Sequence, residues 1–376
     1  MRFHPIPAAL LAVLLCACST VPDRTASTTG STRPAPAITT VAERFVSVES
    51  PGDQLDSLAT WTGEDGRSWV IASAKGSHRL VVFDGDSGER LREVGSRGNG
   101  DGQFNRPNGV AVHGDRLFVV ERDNRRVQVL SLPGFESLGH FGTPELRSPY
   151  GLWVGETEPG ELQVYVTDSY MHGARADQLP PLAELDQRVR QYRVRFDAHG
   201  RPQAHAGAAF GDTSEAAALR LVESIAGDTE NARLLIADEG LHHDGGMPAS
   251  SPRESTLREY TLAGRYTGRS LPQDSFDAEA EGIALWTCPD GGGYWLAADQ
   301  RLPQTVFHLF DRLTLAPRGS FRGITTAHTD GIALHAAATP SFPGGVLFAV
   351  HDDKAVSAFD LRDIARALEL APGCVE

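Results

Sequence analysis

Asn108-Gly109-Val110-Ala111 is one copy of a short pattern: a polar residue, a one-residue spacer, and an aliphatic residue that opens a strand. The other copies are Asp56-Ser57-Leu58-Ala59, Tyr150-Gly151-Leu152-Trp153, Glu223-Ser224-Ile225-Ala226, Glu281-Gly282-Ile283-Ala284 and Asp330-Gly331-Ile332-Ala333. Their aliphatic positions, 58, 110, 152, 225, 283 and 332, lie 42 to 73 residues apart. The two longest intervals hold insertions, at about 170–188 and 241–255. A repeat of this period, built from strands, is the signature of propeller blades.

A second strand is expected after each copy, over Trp69–Ala74, Leu117–Val120, Gln163–Thr167, Leu234–Ala237, Tyr294–Ala298 and Val346–Val350. These segments are rich in β-branched and aromatic residues, which suit a pleated surface. A third, alternating strand follows in every unit, from Leu80–Phe83 to Val356–Phe359, and a fourth in several, such as Leu91–Val94 and Ser137–Phe141. The last unit lacks a fourth strand, and Phe45–Glu49 is placed to supply it. The reading is an all-β, six-bladed β-propeller with four-stranded blades, whose N-terminal strand completes the last blade. Only Leu361–Leu370 reads as helix, with Asp363 favouring its start and Ile364, Ala367 and Leu368 in one stripe.

Composition narrows the partners. The chain has 376 residues, 39 of them Gly and 23 Pro, and a net charge of −14. Such an acidic chain disfavours nucleic acid and anionic lipid, because each phosphate contact needs a cation. It suits metal cations. No Gly-rich loop precedes a helix, so a nucleotide cradle is not expected.

The polar position of the repeat carries the chemistry. In a propeller, equivalent strand starts form a ring around one mouth of the central channel. Asp56, Asn108, Tyr150, Glu223, Glu281 and Asp330 therefore converge, four of them carboxylates. Like charges at 4 Å repel by about 4 kcal/mol at an effective dielectric of 20, which a hard cation among the oxygens relieves. Calcium takes six to eight oxygen ligands at flexible angles. The other account is that these residues cap inner-strand backbone groups. A second set follows the second strands: Lys75, Arg122, Asp168, Asp238 with Glu239, Asp299 with Gln300, and Asp352 with Asp353. Lys75 and Arg122 are either phosphate contacts or partners of neighbouring acids. His242, His243 and Asp244 form a polar cluster in an insertion, expected to be a solvated loop. No serine has a nucleophile-elbow context.

Two resemblances bear on these residues. The stretch Gly98–Gly142, with Asn105-Arg106-Pro107-Asn108-Gly109 and Asp123-Asn124-Arg125-Arg126-Val127, resembles an NHL repeat. Over about residues 50–365, the order of motifs resembles the secreted β-propeller phytases. The motifs are Asp56-Ser57-Leu58-Ala59-Thr60-Trp61, Ala74-Lys75-Gly76, Glu223 to Asp228 with Ala237-Asp238-Glu239, Glu279-Ala280-Glu281-Gly282, His328-Thr329-Asp330-Gly331 and Gly345 to Asp352. This resemblance implies a calcium-dependent phosphomonoester hydrolase acting on inositol phosphate or a related ester. It implies metal ligation by Asp56, Glu223, Asp238, Glu239, Glu279, Glu281, Asp330 and Asp352, and phosphate contacts from Lys75, Arg122 and Tyr150. The chain departs from the family where a second acid would stand beside Asp56, where a lysine would stand near Ser169, and in an Asn-rich stretch around Lys354–Ala358. Two alternatives remain open: a non-catalytic NHL-like binding propeller on the bacterial cell surface, and a metal-dependent lactonase or esterase.

The N-terminus reads as an address. Ala8–Leu15 is an apolar run too short to span a bilayer, and it ends in Leu15-Cys16-Ala17-Cys18-Ser19. This resembles the bacterial lipoprotein box, with Cys18 as the lipidated residue; an ordinary secretory signal is the alternative. The expected organisation is a signal peptide over 1–17, a disordered tether over 18–40, and the propeller over 41–376. The expected partners are a small phosphorylated substrate, no nucleic acid, and a membrane only through the N-terminal lipid, with the chain a monomer in the outer membrane or periplasm. Export permits a disulfide between Cys288 and Cys374; two free thiols are the other possibility.

Overall fold

The computed structural model describes residues 37–173, 178–240 and 255–375. The expected signal peptide, Cys18, most of the tether and the His242-His243-Asp244 cluster lie outside the described residues. The strands form six antiparallel blades. Blade one is Leu55–Thr62, Ser68–Ala74, Arg79–Asp84 and Arg90–Val94, in sequence order from channel to rim. Blades two to four repeat this meander with inner strands Pro107–His113, Pro149–Glu158 and Val222–Asp228. Blade five opens with Ala280–Thr287, and blade six with Ile332–His335.

The ring closes as the sequence implies. Phe45–Val46 pairs antiparallel with Ala355–Asp360, Phe45 opposite Ala358, as the fourth strand of blade six. The Ser47 hydroxyl extends the join by accepting the Val356 N–H at 2.9 Å, and the Phe45 ring packs on Phe342 and Phe348. One feature was not foreseen. Thr39–Thr40 pairs parallel with Phe321 and Arg322 on the rim of blade five, so the body begins before residue 41 and the expected tether ends earlier.

The core is distributed between blades. Ala59, Trp61, Ile71, Val110, Leu117 and Val119 fill the space between blades one and two. Equivalent apolar clusters fill the other five interfaces. Each fully buried Leu- or Phe-sized side chain contributes about 1.5–3 kcal/mol. The sheets can therefore leave their inner edges around an open channel. The C-terminal helix spans Leu361–Ala367, shorter than expected. Asp360 caps it by accepting the Arg362 N–H, and Asp363 lies in the first turn, where an acid favours the helix start. Cys288 and Cys374 are disulfide-bonded across 86 residues, fastening the tail to blade five. No helix among the described residues is long and apolar enough to cross a membrane.

Candidate functional site

The six inner strands line a central channel of about 370 Å³. At one mouth stands the polar ring, and its presentation has a local cause. In blades one to five, the ladder between first and second strands slips at the ring position. In blade one, Leu55 faces Ala74 and Leu58 faces Ala72, so Asp56 and Ser57 share a single opposing residue. This is a β-bulge, which bends a strand and re-aims a side chain. The spacer residue of the repeat sits in the same bulge. A Cβ on Gly151 would collide with the Glu223 carbonyl, and one on Gly331 with the Asp56 carbonyl. These positions are glycine because the next blade's backbone approaches there.

The ring divides into two halves. On one side, Lys75 Nζ lies 2.7 Å from Asp330 Oδ2, 3.1 Å from Asp56 Oδ2 and 4.0 Å from Asp353 Oδ1. Asn108 Nδ2 adds a contact to Asp56 at 3.4 Å, and Gln300 donates to Asp330. One ammonium cannot balance several buried carboxylates. Burial and the neighbouring Asp56 push Asp330 up to about 8, against the opposing pull of Lys75. Burial opposes the charge on Lys75, but the carboxylates around it win and hold its pKa above the usual lysine range.

On the other side, one carboxylate oxygen each from Glu223, Glu239 and Glu281 lies within 4.8 Å of the other two. Burial pushes all three carboxyls well above the usual range, helped by neighbouring acids: Asp56 and Asp330 act on Glu223, Glu223 and Glu279 on Glu239, and Glu239 and Glu223 on Glu281. Glu279 acts on Glu239 electrostatically from close by. Three carboxylates offer up to six hard oxygens, a donor set that fits a divalent calcium-like ion. A second group, His328, Asp330 and Asp353, also has ligand atoms within 4.8 Å of one another.

Two expected ligands are placed elsewhere. Asp238 is fully buried and accepts the Arg220 and Leu221 N–H groups, with Arg258 Nε at 3.4 Å. It belongs to a structural series. Glu121 accepts the Asn105 N–H beside Arg126, Asp168 accepts the Arg147 and Ser148 N–H groups beside Arg190, and Asp299 accepts the Asp277 and Ala278 N–H groups beside His308. These acids tie the segment entering each inner strand to the second strand. Asp352 pairs with Lys354 and is partly exposed, while its neighbour Asp353 approaches Lys75. Residues one step past the structural acids face the mouth instead: Arg122, Glu239 and Gln300, with Lys75 their counterpart in blade one.

Arg122 donates from Nε to Asp123 at 2.8 Å and also hydrogen-bonds the Tyr150 hydroxyl. Burial, then the neighbouring Glu223, raises the Tyr150 pKa, so the phenol stays protonated. Gln300 and Asp353 belong to the second set read from the sequence, but without a ligand or substrate role; Arg106 and His328 have no expected role of their own. Arg106 and His328 lie outside the strands, where a strand pattern does not reveal the reach of a side chain.

No family model matches the chain, and no curated protein does. Among solved structures, it is similar to hydrazine synthase of Kuenenia stuttgartiensis (13% identity, 87% of this chain and 82% of that one, TM-score 0.46). It is also similar to a catalytically inactive virginiamycin B lyase of Staphylococcus aureus with quinupristin (10% identity, 83% and 97%, TM-score 0.45). A third is a chain of a nidogen/laminin complex (15% identity, 75% and 85%, TM-score 0.46). The propeller stands on its own six-bladed architecture, and the phytase resemblance on the motifs alone.

Proposed function

We propose that the channel mouth is a calcium-dependent phosphomonoester hydrolase site, carried on a propeller exported as a lipoprotein through Cys18. The observation that carries this reading is the convergence of Glu223, Glu239 and Glu281, from two adjacent blades, within 4.8 Å. Those three residues would hold the ion. When bound, a hard dication supplies charge neutralisation and Lewis acidity at the phosphoester.

The chain's own groups have separate tasks. Arg122 is anchored through Nε, leaving its terminal nitrogens for phosphate oxygens and the Tyr150 hydroxyl. Tyr150, protonated at neutral pH, donates to an oxygen where charge develops. Burial and Asp56 push Asp330 up to about 8, so its carboxyl can exchange a proton near neutral pH against the pull of Lys75. Lys75 orients Asp56 and Asp330 and is engaged by both, so it is a positioning residue and not the free phosphate contact the resemblance implies.

The engagement of Lys75 favours a second reading, a propeller that binds an anionic ligand without turnover. A phosphate-release assay separates them. The purified protein, given inositol hexakisphosphate, should release phosphate with calcium and not with a chelator, and Arg122→Ala should lower the rate at least tenfold. No release in either condition, with intact calcium binding, would leave the binding reading.

A further inference from the structure

The mouth has a basic pole opposite its carboxylates. Arg106 precedes Pro107 at the entry to the inner strand of blade two. Its backbone is held in the left-handed region, at φ 53°. Its N–H donates to His78 Nδ1 at 3.0 Å, and its carbonyl accepts the Arg122 N–H at 3.1 Å. A left-handed conformation costs an arginine stability, and such strained residues cluster at functional sites. Here the two hydrogen bonds fix the residue beside Arg122.

Its side chain is not consumed by the fold. Arg106 Nε is buried and has no hydrogen-bond acceptor among the described residues. No carboxylate among them lies within ion-pair distance of it, whereas Arg126, Arg233, Arg258 and Arg312 are all paired. A buried guanidinium nitrogen without an acceptor is costly, and an arriving oxyanion removes that cost. The charge of Arg106 acts on both Tyr150 and Glu223, so it is felt at the ring. His78, which accepts at Nδ1 and has its pKa lowered by burial, Arg97 and Arg106, contributes no positive charge of its own.

We infer that Arg106 and Arg122, with the Tyr150 hydroxyl, form a phosphate-binding subsite on the blade-two side of the mouth, and that Arg106 sets the specificity for a phosphomonoester dianion. The inference rests on the reading of this mouth as the ligand site. Two guanidinium groups match tetrahedral phosphate oxygens with paired N–H donors, which a single planar carboxylate fills less completely.

The test is titration of inorganic phosphate into the purified protein by calorimetry, with chelator present, and acetate as comparator. The wild type should bind phosphate at least tenfold more tightly than acetate. Arg106→Gln should lose at least tenfold in phosphate affinity while keeping its melting temperature, and Arg106→Lys should recover part of it. Equal phosphate affinity in wild type and Arg106→Gln, or equal affinity for acetate, would overturn the subsite. Because calcium is absent, failure here is distinct from failure of the calcium reading, which calcium titration tests alone.

Discussion

Lys75→Met should unfold at markedly lower denaturant than the wild type at pH 8. The substitution leaves Asp56 and Asp330 as buried acids, with side chains only 6% and 10% exposed, and without their shared ammonium. Removing one partner of a buried ion pair costs about 3–5 kcal/mol, because the acids left behind must stay charged without a partner or take up a proton far above their unfolded pKa. The buried acids left behind, and not the lost lysine, are the cause. Adding Asp330→Asn to Lys75→Met should therefore recover more than half of the loss. Urea melts of the wild type, the single variant and the double variant check this. A single-variant loss below about 1 kcal/mol, as at a surface pair, would mean the cluster is solvated.

The pH profile of the metal-free protein should be inverted relative to an ordinary acidic protein. A carboxyl whose folded pKa is raised holds more protons folded than unfolded. Stability then falls as pH rises between the unfolded and folded values. For Asp330 that window runs from 3.8 to about 8, and Glu223, Glu239 and Glu281 shift in the same direction. Asp53 opposes them at the acid end. Despite burial, hydrogen bonds from Ser77, Ser50, Arg79 and Arg90 hold it at about 2, so its contribution is lost as pH falls through 3.8 toward that value. In chelator, the melting temperature should peak near pH 5 and decline through pH 8.5. Calcium binds the ionised carboxylates, so its stabilising increment should grow over the same interval. A metal-free profile that rises from pH 5 to 8.5 would show that these acids are not desolvated.

The fold was readable because its signal is repeated. Six polar-spacer-aliphatic copies mark six inner strands, and the missing last strand pointed to Phe45. The parallel strand at Thr39–Thr40 was not readable, since two threonines in a Ser/Thr-rich stretch carry no period. In the site, the ring was legible as a column of the repeat, including the Glu223–Glu281 approach. What sequence merged was the second column. Asp238 and Glu239 are adjacent, yet strand alternation sends one to backbone N–H groups and the other to the mouth. The arginines near the start of the third strands, Arg190 second in Val189–Phe196 and Arg258 third in Thr256–Thr261, were the signal that those acids serve the fold. At Asp352 and Asp353, both with positive φ, no alternation applies, and only the turn decides which one faces Lys75.

Calorimetric titration of calcium at pH 7, in two buffers of different ionisation enthalpy, tests the central claim most directly. The wild type should bind calcium saturably and release protons, because raised carboxyls must ionise to coordinate. Glu281→Gln, which keeps the shape and removes one charge, should weaken binding at least tenfold, about 1.4 kcal/mol. Asp352→Asn should leave it unchanged, since Asp352 faces Lys354. Absence of saturable binding in the wild type, or equal affinity in Glu281→Gln, would contradict a calcium site at Glu223, Glu239 and Glu281.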